Sequence, residues 1–452
     1  MRFSDYKVRS LIAQDPDTDD SYGYSIAFAR GGAILAVGSE AWEENDQLLD
    51  VGAVYLYDKN DANEYELRTV IRAPDPEYQD FFGRSVALSE NGKFLFVGAF
   101  QWEGDFADQG GVYVFELRGK KALQRGPVIT CPDPKAGDLF GQSLTCTANG
   151  KAIAVGAINK TITAKGQGAV YIFDKKEEGK WRPRGQALTA PQPAPADRFG
   201  MAVGFNSDGK VLIVGADYHS ELKRAQGAVY VFDRHHRGWA FRNMVVAPDA
   251  SVDDRFGTRC VISHDASLLL VSAEKWDGAT QDQGCVYAFE NFNGVYTFTG
   301  DRLTAPDARK GDRFGKAVAI NRHKNVIAIG AHQWDGKYIN QGKVYLFEKR
   351  PTKFSATPEG IKNVKTHFDN QAEFTGGAHV QLSGSLMLQA NEIDNVVIDI
   401  PLPLPAKRIM MAICATPGNA GTVTVSGDKA RLTVFVDNLS SQLLRYYFSY
   451  TS

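Results

Sequence analysis

Residues 80–100 decide the fold; they read DFFGRSVALSENGKFLFVGAF. The stretch opens with Asp80 and the aromatic-glycine pair Phe82-Gly83, alternates as far as Leu88, turns at 90–93 and ends in an apolar run. Period-two alternation on either side of an Asn-Gly turn is typical of a β-hairpin. We therefore predict two antiparallel strands here, and the pattern extends in both directions along the chain.

The same arrangement occurs six times in the first 350 residues. The Asp-x-Phe/Tyr-Gly anchor returns with its aromatic residue 57 to 60 positions after the previous one, and each anchor precedes a Gly-x-Val-Tyr-x-Phe/Tyr segment. A fourth segment then leads into Ala-Pro-Asp or a close variant. The anchors are residues 20–23, 80–83, 138–141, 197–200, 254–257 and 312–315, and the Gly-x-Val-Tyr segments are 52–57, 110–115, 168–173, 227–232, 284–289 and 342–347.

Each unit thus predicts four short strands with no helix between them, which is the make-up of a β-propeller blade. The apolar run 211–214 predicts a strand buried on both faces, between neighbouring blades. Residues 7–13 resemble a fourth strand, and the sixth unit has no obvious fourth strand after Phe347. We therefore predict an all-β, six-bladed propeller over 1–350 that the N-terminal strand closes. A divergent seventh blade within 352–375 is the alternative.

The repeat resembles the FG-GAP repeats of the integrin α-subunit propeller and its bacterial relatives. Calcium-binding members of that family carry an Asp-rich DxDxDG-type loop between the first and second strands. The corresponding positions here hold too few oxygen ligands for a hard cation, so we predict no calcium, no other metal and no cofactor. They are residues 29–32, 90–93, 148–151, 207–210, 264–267 and 322–325.

The repeat ends before the last part of the chain. Residues 351–365 contain two prolines and a glycine and are predicted to be a linker, while short alternating segments in 366–452 predict a small β-sandwich or jelly roll. The segments 382–388, 402–405, 421–427 and 448–451 resemble the distal domains of tailed-phage fibres and related virion proteins. The likeness implies a homotrimer formed through 366–452 and contact with host surface polymers.

Composition excludes several classes of partner. The net charge is −2 over 452 residues, so the protein has no general attraction for nucleic acid. No apolar run is long enough to span a membrane, and residues 1–7 lack the apolar core of a signal peptide. The five cysteines show no CxxC spacing, which predicts reduced, partly buried thiols.

Four loops between the second and third strands carry a tryptophan followed by an acidic residue. They belong to units 1, 2, 5 and 6, which are contiguous in a closed ring of six. Indole faces and carboxylates could form a sugar-binding rim, although a tryptophan at a fixed repeat position more often packs over the loop of the neighbouring blade. The candidate ligand-binding residues are Trp42, Trp102, Trp276, Trp334, Glu43, Glu103, Asp277 and Asp335.

Other recurrent residues favour a structural role. The aspartate of each anchor is expected to bond backbone N–H groups of its own loop, and the aromatic ring to lie in the blade core. The eight histidines show no HxxxH or HExxH spacing, and no GxSxG motif is present. Nothing in the sequence singles out a pair of carboxylates that could act as in a glycosidase, so we predict that the protein is not an enzyme.

These observations lead to three functional hypotheses. The first is a virion protein, a tail or head fibre made in a host cytoplasm, that contacts a host-cell surface glycan or neighbouring virion proteins. The second is an intracellular propeller scaffold that binds a protein partner. The third is a polysaccharide-degrading enzyme, which the residues favour least.

Overall fold

A computed structural model describes residues 6–43, 49–176, 180–236 and 238–349 in full, and the backbone of eight strands between 352 and 451. The chain divides into two compact units, Met1–Glu348 and Lys349–Ser452.

The first unit consists of six four-stranded antiparallel sheets, one for each repeat, and it confirms the predicted propeller. The alternating segments form the innermost strands and the apolar runs form the second strands. Blade 1 contains β2 (Tyr22–Ala29), β3 (Ile34–Ser39), β4 (Ala53–Lys59) and β5 (Tyr65–Ile71), with a short 3-10 turn at Arg30–Gly32; blade 2 contains β6 (Phe82–Leu88), β7 (Phe94–Ala99), β8 (Gly111–Arg118) and β9 (Lys121–Gln124); blade 3 contains β10 (Phe140–Cys146), β11 (Ala152–Ala157), β12 (Ala169–Lys175) and β13 (Trp181–Pro183).

The remaining blades repeat this order. Blade 4 contains β14 (Ala202–Phe205), β15 (Val211–Ala216), β16 (Ala228–His235) and β17 (Gly238–Val245); blade 5 contains β18 (Phe256–Ile262), β19 (Leu268–Ala273), β20 (Cys285–Phe292) and β21 (Val295–Leu303). Blade 6 takes β22 (Ala317–Ile320), β23 (Val326–Ala331) and β24 (Lys343–Lys349) from its own repeat and β1 (Tyr6–Leu11) from the N-terminus.

The predicted closure is confirmed, because the last sheet runs in the order β1-β24-β23-β22. The buried Tyr6 donates a hydrogen bond from its hydroxyl to the carbonyl of Lys324, at 3.1 Å. Arg9 forms an ion pair with Glu348 at 2.6 Å. The first strand of the chain thus covers the edge that the sixth repeat leaves open.

Neighbouring blades meet through very small residues. The hydroxyl of Ser25 in blade 1 donates to the carbonyl of Gly83 in blade 2, at 2.7 Å. An added Cβ on Gly38 would lie 2.2 Å from that same carbonyl oxygen, so only glycine fits there. The aromatic ring of the anchor fills the blade core as predicted, since Phe82 is fully buried and packs edge-to-face on Tyr113 with centroids 5.4 Å apart.

The second unit contains two four-stranded sheets. One joins β25 (Thr352–Ser355), β28 (Asn395–Pro401), β31 (Lys429–Phe435) and β30 (Ala420–Ser426); the other joins β26 (Gln371–Thr375), β27 (His379–Leu388), β32 (Gln442–Thr451) and β29 (Arg408–Cys414). Residues 352–355 therefore pair with a strand of this unit, although they fall in the predicted linker. The face-to-face packing that a sandwich requires lies outside the described residues, as does the rest of 351–365, so the sandwich stays a prediction.

Candidate functional site

The long loops of all six blades gather on one face of the propeller. In each blade the loop between the second and third strands lies beside the loop that enters the next blade. Backbone hydrogen bonds join them, for example from Gln79 N–H to Leu49 C=O at 3.1 Å and from Phe81 N–H to Asp50 C=O at 3.0 Å. We call this surface the loop face; among the described residues it comprises the second-to-third loops 40–43 with 49–52, 100–110, 158–168, 217–227, 274–284 and 332–342 and the blade-entry loops 14–21, 72–81, 130–139, 189–198, 246–255 and 304–313.

The four tryptophans of the predicted rim lie on the loop face, but their rings pack onto their own blades. Trp42 is buried, with the Arg72 guanidinium 4.3 Å from its ring. Trp102 is half-buried against the core between blades 1 and 2. Cations also cover the half-buried rings of Trp276 and Trp334, with Arg302 at 5.2 Å and Lys343 at 4.4 Å respectively.

The position of the Trp334 ring limits what it can bind. Its indole nitrogen is buried and has no hydrogen-bond acceptor in the described part of the chain. The ring edge lies over the loop glycine, since a Cβ on Gly336 would approach it to 2.3 Å. The tryptophans are thus packed, but on their own blades rather than over the loop of the neighbouring blade as expected, and ligand binding by them stays a prediction.

The acidic residues after the tryptophans are exposed to solvent. Asp277 and Asp335 each accept a backbone hydrogen bond across their own loop, from Asp282 and Asn340 respectively, at 2.8 Å. Glu43 and Glu103 are likewise exposed. The carboxylates of blades 5 and 6 therefore stabilise turns, and a role in binding stays a prediction for all four.

The anchor aspartates bond their own loops, as the sequence predicted. Each accepts a hydrogen bond from the backbone N–H three residues earlier: Asp80 from Glu77 at 3.0 Å, and Asp20 from Asp17 at 2.6 Å. Both side chains are buried, and burial raises the pKa of Asp20 to about 6 and that of Asp80 to about 7.

These raised pKa values predict how stability depends on pH. The folded-state pKa of Asp80 lies above the unfolded value near 3.9, so its stabilising contribution is complete below that pH and is lost as the pH rises through 7. We expect the protein to gain on the order of 2 kcal/mol from Asp80 between pH 8 and pH 5. Asp80→Asn keeps an acceptor for Glu77 N–H and should remove this gain, as read from denaturant midpoints at the two pH values.

The exposed Asp105, in a second-to-third loop of the same face, provides the matched control. Asp105→Asn should leave the pH dependence as it is in the unchanged protein. Identical pH profiles for Asp80→Asn and the unchanged protein would contradict the assignment.

The loops at the positions of the family's calcium sites are held by their own side chains. Asn91 accepts from Lys93 N–H at 2.9 Å, and Asp265 accepts from the Lys324 ammonium at 3.0 Å. No group of three or more His, Cys, Asp or Glu side chains that could hold a metal ion occurs among the described residues. The absence of calcium remains an expectation.

Four of the five cysteines lie in the described part of the propeller, and all four are free thiols, as predicted. Burial raises the pKa of Cys131 to about 11 and of Cys146 and Cys260 to about 12. In the regions that the structure describes, no helix is long and apolar enough to cross a membrane.

A central channel runs between the innermost strands, and charged groups that the repeat motifs did not indicate lie at its opening on the loop face. A cavity of about 210 Å³ is lined by all six innermost strands and reaches Arg84 and Arg259. Arg84, Lys316 and Arg259 lie 4.4, 4.8 and 5.5 Å from the ring of Tyr24. We call this opening, where these three cations meet, the channel mouth.

Three acidic side chains complete the channel mouth. Glu40, Asp217 and Glu274 each follow the last residue of a second strand and are buried. Arg84 pairs with Glu40 at 2.6 Å, and Lys316 pairs with Glu274 at 2.9 Å. The signal was present in the sequence, since the repeat has charged residues there directly after buried apolar runs.

Backbone geometry aims further arginines at the channel mouth. The variable residue of the anchor has a positive φ in all six blades, a left-handed conformation that costs a non-glycine residue about 1 kcal/mol or more. In blades 4, 5 and 6 that residue is Arg198, Arg255 or Arg313. Arg198 reaches Asp217 at 3.6 Å and Arg255 reaches Glu274 at 3.7 Å.

Burial and charge act in opposite directions on the acids. Burial raises the pKa of Asp217. Burial would also raise the pKa of Glu274, but the positive charge of Lys316 and its neighbours lowers it below its usual range. Burial keeps the pKa of His332 well below its usual value, so this imidazole is neutral at pH 7.

The loop face also carries exposed apolar side chains that sequence reasoning missed. They occur in loops of blades 2, 3, 4 and 6 and in two blade-entry loops. Their exposed fractions range from 44% to 85%: Tyr78 58%, Phe106 44%, Ile162 47%, Leu222 85%, Val252 54% and Ile339 64%. Exposed apolar side chains collected on one face offer surface that a protein partner can bury.

Six antiparallel sheets closed around a channel define the class: the first unit is a six-bladed β-propeller. The FG-GAP repeat family matches residues 66–115, 184–232 and 300–347, so the propeller contains FG-GAP repeats in these three segments, as the resemblance implied. Each match covers the end of one blade and the first three strands of the next.

The chain is also similar in structure to a β-propeller domain, that of Cps50 (Swd1) from Myceliophteria thermophila. The two are 12% identical in sequence with a TM-score of 0.42, and the match covers 76% of this chain and 99% of the other. No curated protein matches the chain.

Proposed function

We propose that this chain is a non-catalytic binding protein whose propeller holds a protein partner on the loop face. The observation that carries the proposal is the set of exposed apolar side chains there, with Leu222 85% and Ile339 64% exposed. Burying one such side chain at an interface contributes about 1.5–3 kcal/mol before the costs of association.

A protein partner fits this surface better than a glycan does. Sugar binding would need open aromatic faces with free donors, whereas the indole of Trp42 is buried and a cation lies over its ring. Leu222, Ile162 and Ile339 are aliphatic and raised at loop tips, which suits packing against another protein.

The finer proposal is that the chain is a tail or head fibre component of a virion and that the partner is a neighbouring virion protein. Its support is the likeness of 366–452 to fibre-tip domains, which also implies a homotrimer. An intracellular scaffold with the same loop face remains the alternative, and the two differ in oligomeric state and in the partner captured.

The test compares two double variants of the full chain. We expect Leu222→Ser with Ile339→Ser to lose a specifically captured partner protein, measured by affinity capture from the source material and quantitative mass spectrometry. The control is Phe292→Ser with Val295→Ser, because these residues are 61% and 57% exposed at the opposite end of blade 5.

Each outcome decides between the hypotheses. Capture that survives the loop-face change, or that both double variants lose equally, would contradict the proposal. A virion protein as the captured partner and a trimeric mass by light scattering would support the finer assignment. Binding on a glycan array that depends on the tryptophan loops would favour a glycan instead.

A further inference from the structure

The channel mouth contains more positive than negative charge among the described side chains. Arg84, Arg198, Arg255, Arg259, Arg313 and Lys316 act there against Glu40, Asp217 and Glu274. Arg313 is included because its charge acts on both Glu274 and His332. The neutral His332 does not change this balance, so the opening has a net positive potential.

Some N–H donors of these arginines form no hydrogen bond with the three acidic side chains. The Nη1 of Arg259 donates to the backbone carbonyls of Thr258 at 2.9 Å and Met201 at 3.3 Å. Its Nη2 is buried and has no hydrogen-bond partner among the described residues. The Nε of Arg255 is buried and unpartnered in the same way, although its Nη2 donates to the Tyr218 hydroxyl at 2.7 Å.

Buried acceptors at the same place are also unpartnered. Asp217 is fully buried, and within the described chain neither of its carboxylate oxygens accepts a hydrogen bond. The Nδ1 of His332, whose side chain is 6% exposed, also lacks a partner there. A buried donor or acceptor without a partner costs about 1–3 kcal/mol, and the unpartnered arginine donors among these atoms are the ones that a bound anion would satisfy.

A cavity beside Arg259 is large enough for a guest. Its volume of about 210 Å³ would hold roughly a dozen water molecules, and Arg84 and Arg259 both line it. A water cluster could fill this space, but water alone would leave the excess of arginine charge uncompensated in a place of low dielectric constant.

We propose that the channel mouth binds a small oxyanion, a phosphate or a carboxylate, through the guanidinium group of Arg259, with Arg84 and Lys316 adjacent at the same Tyr24 ring. The N–H donors of arginine match the oxygen atoms of planar carboxylate and tetrahedral phosphate groups, and each charge-assisted hydrogen bond contributes about 1.5–3 kcal/mol. The inference goes beyond the proposed protein partner and does not depend on it.

One substitution tests the site without disturbing the fold. Blades 1, 2 and 3 hold serine at the position of Arg259, and Ser85 donates to the next blade's Gly141 carbonyl at 2.7 Å. Arg259→Ser should therefore fold; the equivalent contact is not expected, because blade 5 holds Ser272 where blade 2 holds the glycine that faces Ser85. We expect the full chain to bind inorganic phosphate or citrate in titration calorimetry at constant ionic strength, and Arg259→Ser to bind it about tenfold more weakly or worse.

Two further variants make the result decisive. Arg182 is exposed on the outer strand of blade 3, so Arg182→Ser should bind the anion as the unchanged protein does. Asp217→Asn removes a neighbouring negative charge with little change of shape and should tighten anion binding severalfold.

The proposal is overturned if neither phosphate nor citrate binds, or if Arg259→Ser binds them as well as Arg182→Ser does. Weaker anion binding by Asp217→Asn, or binding of calcium that this variant loses, would show that the site selects cations. Because no protein partner is present in the titration, its failure leaves the capture experiment unaffected.

Discussion

Gly342→Ala should abolish or severely weaken folding of the propeller, with a loss of more than about 4 kcal/mol. Gly342 directly precedes β24, the third strand of blade 6, at the seam with blade 1. Its backbone pairs in parallel with Tyr22, and an added Cβ would lie 2.1 Å from the Tyr22 carbonyl oxygen. Backbone atoms cannot rotate away as a side chain would, so the seam itself would have to open.

The control separates this overlap from backbone strain. Gly342 has a φ of +79° and Gly185 one of +72°, but an added Cβ on Gly185 would meet nothing within 4 Å. Gly185→Ala therefore carries only the left-handed strain of about 1 kcal/mol. Thermal and denaturant midpoints measure the difference, and equal midpoints for the two variants would show that the seam tolerates the methyl group.

Removal of residues 1–13 should be the second large effect. It takes away β1, exposes the edge of β24 and uncovers apolar core at the position of Tyr6, which is 5% exposed. We expect the propeller to lose several kcal/mol and to self-associate through the unpaired edge, as seen in sedimentation and thermal unfolding.

Point variants keep this test informative if the deleted chain does not fold. Tyr6→Ala should cost about 3 kcal/mol, because a buried aromatic ring and its hydrogen bond to the Lys324 carbonyl are lost. Val8, 37% exposed on the same strand, is the control, and Val8→Ser should change stability by less than about 0.5 kcal/mol. A deletion as stable as the full chain would mean that the ring closes without β1.

The loops show where sequence reasoning about function reached its limit. The recurrence of Trp102 and its counterparts drew attention because a repeated aromatic-acid pair resembles a binding rim. The structure places Trp42 in the core and covers the rings of Trp276 and Trp334 with Arg302 and Lys343. Arg302 and Lys343 lie in the fourth and third strands of their blades, outside the tryptophan loops, so the sequence of those loops could not reveal the contacts.

The channel mouth was missed for a related reason. Glu40, Asp217 and Glu274 lie in three different repeats, and their partner arginines occupy other repeat positions. A repeat comparison emphasises what the units share, whereas this cluster consists of what differs between them. Only closure of the ring brings residues as far apart in sequence as Tyr24 and Arg259 to within 5.5 Å.

By itself the sequence determined the strand pattern, the six blades and the closure by residues 7–13. Alternation, turn glycines and a recurring anchor act within one unit, and each unit needs its neighbours to bury both faces. The tertiary structure alone decided which side chains of separate units meet at the axis. Their proximity depends on closure of the whole ring, because each charged side chain at the axis has neighbours from several blades.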